Sequence, residues 1–83
     1  MRKILFGKNK NIIHDHLKKI RKERGLSQEE LAAKLQVMNV NIDQQMISKI
    51  ENNSRMVTDY ELFCLCRVLH TEPNDLMGEI ETL

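Results

Sequence analysis

Two adjacent glutamines, Gln44 and Gln45, begin a stretch whose polar residues recur at helical spacing. Ser48 and Lys49 follow one turn later, so the four share an outward side if Ile47 and Ile50 face a core. A glutamine amide donates and accepts hydrogen bonds together, which suits the N6 and N7 edge of an adenine. The alternative is a merely soluble surface of amides.

The histidines and cysteines do not form a recognisable metal or catalytic cluster. His14 and His16 are two residues apart, as are Cys64 and Cys66, and on a helix this spacing places each pair on different faces. His70, near the end of a predicted helix, suits a contact with the helix dipole. No Ser-His-Asp, Cys-His or paired-carboxylate arrangement stands out. We therefore expect no enzyme activity, metal or cofactor, and two buried or half-buried thiols.

Composition describes one small domain. The chain has 83 residues, 41% hydrophobic and 30% charged, as in ordinary soluble proteins. Two Phe, one Tyr and no Trp are too few for a base-stacking platform. The apolar run Ile4–Phe6 is too short for a signal peptide, and no stretch is long enough for a membrane span. These features predict a cytoplasmic protein.

Charge is distributed unevenly along the chain. Residues 1–24 hold nine Lys or Arg against two acids, whereas residues 25–83 hold four against ten. A basic face would attract a polyanion, although the lysines could equally be the solvated side of a helix.

Apolar spacing predicts an all-α chain of five helices. The first is opened by Asn9 or Asn11 and ended by Gly25 in a left-handed cap. Its inner stripe is expected to contain Ile13, Leu17, Ile20 and Arg24.

A capping box at Ser27–Glu30 begins the second helix, which we expect to run to about Met38 before an irregular turn. Asp43 is the expected N-cap of the third helix, with Ile42 and Ile47 as a hydrophobic staple.

A second capping box, Thr58–Glu61, begins the fourth helix after a loop at Asn52–Ser54. Pro73–Met77 is predicted as a short fifth helix that ends near Gly78. The core positions of the fourth helix are Leu62, Leu65, Cys66 and Leu69.

The predicted second and third helices have the arrangement of a helix-turn-helix. They are joined by a connection, and the first turn of the third helix is polar on its outward side. Over about residues 12–78 the sequence resembles the lambdoid repressor and Cro type, also called XRE-like helix-turn-helix regulators. This resemblance implies a lambda-repressor-like domain at 12–78, between a basic N-terminal arm (1–11) and a short acidic tail (79–83). Its motifs are Leu17–Arg21, Gly25–Ala32, Ile47–Asn52 and Leu62–Leu69.

The resemblance also implies roles for individual residues. Gln44, Gln45, Ser48 and Lys49 would contact bases. Gln28 would touch a phosphate and brace the recognition helix. Arg21 would pair with Glu51 and lie near a phosphate, and the remaining phosphate contacts would come from Asn52, Asn53, Ser54 and Arg55.

One departure concerns the turn. From Leu35 to Ile47 the chain advances twelve residues, where the common pattern has seven. The sequence resembles a subgroup with such an extension, followed by a segment similar to Val57–Leu62. The extra residues 37–41 could lengthen the second helix, bulge over the DNA backbone or pack on a partner.

The predicted function is sequence-specific binding of double-stranded DNA by a transcriptional regulator, most often a repressor. A near-palindromic operator and a weak homodimer are expected. The resemblance places the dimer contact at Glu72–Met77, and Ile80 and Leu83 are further apolar candidates. No small-molecule ligand is evident. The basic arm could add DNA contacts or be an untethered tail. The alternative function is a protein-interaction module on the same fold, either antitoxin-like or a polymerase-binding adaptor.

Overall fold

The computed structural model describes residues 9–78, so the expectations for residues 1–8 and for Ile80 and Leu83 lie outside the described part. The elements are all helical, and no strand occurs between residues 9 and 78, which confirms the all-α, five-helix prediction. The helices are α1 (His14–Glu23), α2 (Gln28–Val37), α3 (Gln44–Glu51), α4 (Asp59–Leu69) and α5 (Pro73–Met77).

One hydrophobic core joins all five helices. α3 packs on α1 and α2, α4 packs on α2, and α5 packs on α1 and α4. One side of α3 is therefore held by two neighbouring helices. The side chains with essentially no exposed surface are Leu17, Leu31, Leu35, Ile42, Ile47, Ile50, Leu65, Leu69 and Leu76.

Three helices begin at the predicted capping residues. The Ser27 hydroxyl accepts from the Glu30 N–H at 3.0 Å, and the Glu30 carboxylate accepts from the Ser27 N–H at 2.8 Å. Thr58 and Glu61 form the same reciprocal box. Asp43 accepts from the N–H of the third residue that follows it, at 2.8 Å. Each cap satisfies a backbone donor that the helix leaves open.

The start of α1 differs from the prediction that Asn9 or Asn11 caps it. The helix begins at His14 with Ile13 as its N-cap, and no side chain caps it. Asn11 instead donates from its amide nitrogen to the carbonyls of Ile50 (3.0 Å) and Arg55 (2.9 Å). Through these two hydrogen bonds Asn11 links the N-terminal segment to the end of α3 and the loop that follows it.

Arg24 also lies outside the predicted inner stripe of α1. It is exposed, whereas the aliphatic members of that stripe are buried. The Arg24 guanidinium donates to the carbonyl oxygens of Leu69 (2.7 Å) and His70 (3.3 Å). These carbonyls lie at the C-terminal end of α4, where helix carbonyls lack partners within the helix.

Four helices end in the same way, with a left-handed residue just after the last turn. These residues are Gly25, Asn39, Asn53 and His70, with φ between +53° and +71°. At each, two successive N–H groups bond the carbonyls three and five residues back, which is the Schellman closure. Three of the four are not glycine, and asparagine and histidine are among the residues that tolerate this region best.

The extension before α3 is a tight turn that returns to the core. α2 ends at Val37, whose side chain is 85% exposed, and Asn39 reverses the chain. Val40 and Ile42 then enter the core with 4% and 0% exposure. Of the extra residues 37–41, only Val37 belongs to α2, and Val40 supplies a core contact.

Candidate nucleic-acid interface

The outward side of α3 forms an open, shallow patch, which we call the amide patch. The side chains that line it are polar because Ile47 and Ile50 are turned into the core with no exposed surface and Met46 is half-buried against the core. Gln44 and Ser48 are half-buried, and the other members are exposed. The residues that line it are Gln44, Gln45, Ser48, Lys49 and Asn52.

The first turn of α3 is held firmly against the core. Ile42 and Ile47, the predicted staple, are both fully buried, and Asp43 caps the helix between them. The Asp43 side chain therefore has the helix-capping role that was predicted from the sequence. The direction in which the amide patch faces is set by buried residues on both sides of the cap.

A continuous hydrogen-bonded chain runs from the core to the patch. Gln44 Nε2 donates to Gln28 Oε1 at 2.7 Å, and Gln28 Nε2 donates to Glu51 Oε1 at 3.1 Å. Arg21 donates to both oxygens of Glu51, from Nε at 2.7 Å and from Nη2 at 3.0 Å. The expected pair of Arg21 with Glu51 and the bracing contact of Gln28 with the recognition helix are both present.

This chain has a defined direction, because the Glu51 carboxylate can only accept hydrogen bonds. Gln28 must therefore present its nitrogen to Glu51 and its oxygen to Gln44. Gln44 in turn presents its nitrogen to Gln28, which leaves its own oxygen and one N–H toward the patch. An amide that could otherwise rotate by half a turn is thus held in one orientation.

Arg21 is engaged on several sides. Beside its two contacts with Glu51 it donates from Nη1 to the Leu26 carbonyl at 2.8 Å. The hydrogen bond from Glu51 raises the pKa of the Arg21 guanidinium above its usual value, against the opposing effect of burial. Charge-assisted, two-point contacts of this kind fix geometry as well as charge.

The loop after α3 is tied to the N-terminal segment through Asn53. Its side-chain oxygen accepts from the N–H groups of Lys10 (2.9 Å) and Asn11 (3.3 Å), and its amide nitrogen donates to Asn9 Oδ1 (2.8 Å). The backbone N–H groups of Asn52, Asn53 and Ser54 are all bonded to α3 carbonyls. Phosphate contacts from these three residues would therefore have to come from side chains.

Arg55 is bound to a carboxylate of α4. Its Nη1 and Nη2 lie 3.0 Å from Glu61 Oε1 and Oε2, and Nη1 also donates to the Met56 carbonyl. This contact, helped by hydrogen bonds from Thr58, holds the pKa of Glu61 below its usual value. From the sequence, Glu61 was predicted in the capping box and Arg55 at a phosphate, and their pairing was not predicted.

The tertiary role of Asn11 was also not predicted from the sequence. Asn11 is buried, and its hydrogen bonds are to the carbonyls of residues about forty positions away in the chain.

No group of three or more potential metal ligands occurs in the part of the chain that the structure describes. Cys66 is buried and Cys64 half-buried, as expected, and burial raises the pKa of the Cys66 thiol.

Comparison with known protein families identifies the family of the chain. A family model described as helix-turn-helix matches residues 17–76, well over half of the chain, from the first core leucine of α1 into α5. A search of curated proteins finds no significant match. Within residues 9–78 no helix has the length and apolar content needed to cross a bilayer. On its fold, its braced polar helix and this match, the chain belongs to the XRE-type helix-turn-helix family of DNA-binding regulators.

Proposed function

We propose that the protein binds a specific double-stranded DNA sequence through the major groove and regulates transcription by occupying it, most simply as a repressor. The observation that carries this proposal is the amide patch, open to solvent and braced from behind by Gln28 and Glu51. A braced helix with a polar outer side fits the width of the major groove.

Base reading would begin with Gln44. The groups left to it by the contact with Gln28, one oxygen and one N–H, match the N6 donor and N7 acceptor of an adenine. Gln45 is exposed and carries a second amide at the same end of α3. Ser48 and Lys49 lie one turn further, where each can reach a neighbouring base or a phosphate.

Phosphate contacts would frame this helix. We assign them to the Asn52 amide and to the second amide N–H groups of Gln28 and Asn53. The Ser54 hydroxyl donates within the loop, so its contact with a phosphate requires that hydrogen to be redirected. Asn52 supports the assignment best, since it lies at the edge of the amide patch. Arg21 and Arg55 are already bound to carboxylates, so we assign them chiefly to positioning.

A single domain of this size covers too few base pairs for specificity in a genome. We therefore propose that two copies bind a near-palindromic operator, with half-sites about 34 Å apart along the duplex.

The decisive experiment is selection of bound duplexes from a random library, followed by the same selection with Gln44→Ala. The wild-type protein should enrich a defined half-site. The variant should lose preference at one base position, worth about 1–3 kcal/mol, with an unchanged dependence of affinity on salt.

Gln36→Ala is the matched control, because Gln36 is an exposed glutamine of α2 that does not line the patch. Its selected sequences should be identical to those of the wild type. An absence of enrichment with the wild-type protein would refute sequence-specific binding. An unchanged profile in Gln44→Ala would refute direct reading by that side chain.

A further inference from the structure

The exposed side of α4 carries the aromatic residues of the described chain. Tyr60 is 57% exposed and Phe63 is 59% exposed, and no other aromatic residue occurs between residues 9 and 78. Met56, just before the helix, is also exposed. Aromatic side chains one turn apart on a solvent-facing helix are a common mark of an interaction surface.

α5, where the family resemblance places the dimer contact, offers a different surface. Leu76 is completely buried, and Met77 is half-buried against the core. The exposed positions of α5 and its cap are Glu72–Asp75, which are polar apart from Pro73 and carry two carboxylates. Among the described residues, exposed aromatic surface is therefore found on α4 and not on α5.

Charges are placed symmetrically around Phe63. Asp59 precedes it by four residues and Arg67 follows it by four, and both are exposed. Each lies about 6 Å from Phe63 along the helix axis and within about 40° of it around the axis. The Arg67 guanidinium also lies over the Phe63 ring, 5.7 Å from its centroid. The α4 face therefore has an acid at one end, a base at the other and an aromatic ring between them.

We propose that this face binds the same face of a second copy of the chain, with the two α4 helices antiparallel and Phe63 near a two-fold axis. In that arrangement Asp59 of each copy lies opposite Arg67 of the other, and Tyr60 extends the apolar contact. A two-fold contact requires a self-complementary surface, and the spacing of acid, ring and base meets that requirement.

The area available predicts a weak dimer. α4 has eleven residues, so the paired segments are about 16 Å long, and the contact falls at or below the low end of stable interfaces. Reversible association in the micromolar to millimolar range is expected. This inference does not depend on DNA binding, because it concerns the free protein.

Sedimentation equilibrium of the full chain over a wide concentration range tests the proposal. Asp59→Arg places two arginines opposite each other at both contacts, and Arg67→Asp places two carboxylates there. Each variant alone should weaken association roughly tenfold or more. An equimolar mixture of the two should recover the dimer, because every contact in the mixed pair then joins opposite charges.

Asp15→Arg and Lys34→Asp are the matched controls, since they make the same charge changes at exposed positions of α1 and α2. Each should associate like the wild type, and mixing them should add nothing. Phe63→Asp gives a second disruption should a charge variant fail a thermal-melting check. The proposal is wrong if the wild type stays monomeric at millimolar concentration, if the α4 variants associate normally, or if their mixture does not recover.

Discussion

Two arginine–carboxylate pairs in this molecule have nearly the same chemistry and different surroundings. In the first pair the side chains of Arg21 and Glu51 are 9% and 4% exposed. In the second pair those of Arg55 and Glu61 are 24% and 6% exposed. The first pair joins α1 to α3 across thirty positions of sequence, whereas the second joins the loop after α3 to α4 across six.

The difference lies in what each carboxylate binds next. Glu51 accepts from Gln28, which accepts from Gln44, so the pair is connected to the amide patch. Glu61 accepts from the Thr58 N–H, so the other pair is connected to the capping box of α4. The same interaction should therefore affect base preference in one place and only stability in the other.

The largest effect is expected on breaking the more buried pair. Arg21→Leu leaves Glu51 buried without its cation and should lower the free energy of unfolding by about 3–5 kcal/mol. Urea denaturation measures this loss. The double variant Arg21→Leu/Glu51→Leu should recover most of it, because no uncompensated charge remains. A double variant as unstable as the single one would show that the pair is not the cause.

A smaller loss is expected from Arg55→Ala, because that pair is more exposed and its solvent screening is greater. The free energy of unfolding should fall by about 2–3 kcal/mol. The logarithm of DNA affinity against that of salt concentration should keep its slope, since the guanidinium is already neutralised. A slope reduced by about one would instead identify Arg55 as a phosphate contact.

The stability difference between Glu61→Gln and the wild type should disappear in acid. Arg55 holds the pKa of Glu61 below its usual value, so the carboxylate stabilises the fold at neutral pH and loses this effect as the pH falls below about 4.3, the unfolded value. The variant should be less stable by about 1–2 kcal/mol at pH 7 and equal to the wild type in acid. Melting curves across pH test this, and a constant difference would contradict it.

The smallest effect is expected at the link between the pair and the patch. Gln28→Ala removes the brace of Gln44 while leaving the pair of Arg21 with Glu51 intact. Discrimination at the Gln44 base position should weaken by about 1 kcal/mol, with little change in stability. Competition binding with single-base operator variants measures it against the Gln36→Ala control. Unaltered discrimination would mean that Gln44 is oriented by the DNA alone.

The starts of α2, α3 and α4 were predictable because the interactions that set them are local, whereas at the start of α1 the predicted cap Asn11 is engaged in tertiary contacts. A cap and its acceptor lie within three residues, as at Ser27 with Glu30 and at Thr58 with Glu61. The helix ends also lie close to the predicted positions, but the left-handed conformation of Asn39 and His70 was not predicted, since that role is usually read from glycine. After Asn39 the chain returns to the core at Val40, which is a tertiary condition.

The sequence by itself determined that α3 has an apolar side and an amide-rich side, because helical spacing separates them whatever the surroundings. Tertiary structure alone decided that Arg55 binds Glu61 and that Asn11 donates to the Ile50 carbonyl. It also decided that the Gln44 amide is held in one orientation. Each of these depends on which of several possible partners a polar side chain meets. Helical periodicity places a residue on a face of its own helix, but the partner is set only when the helices pack.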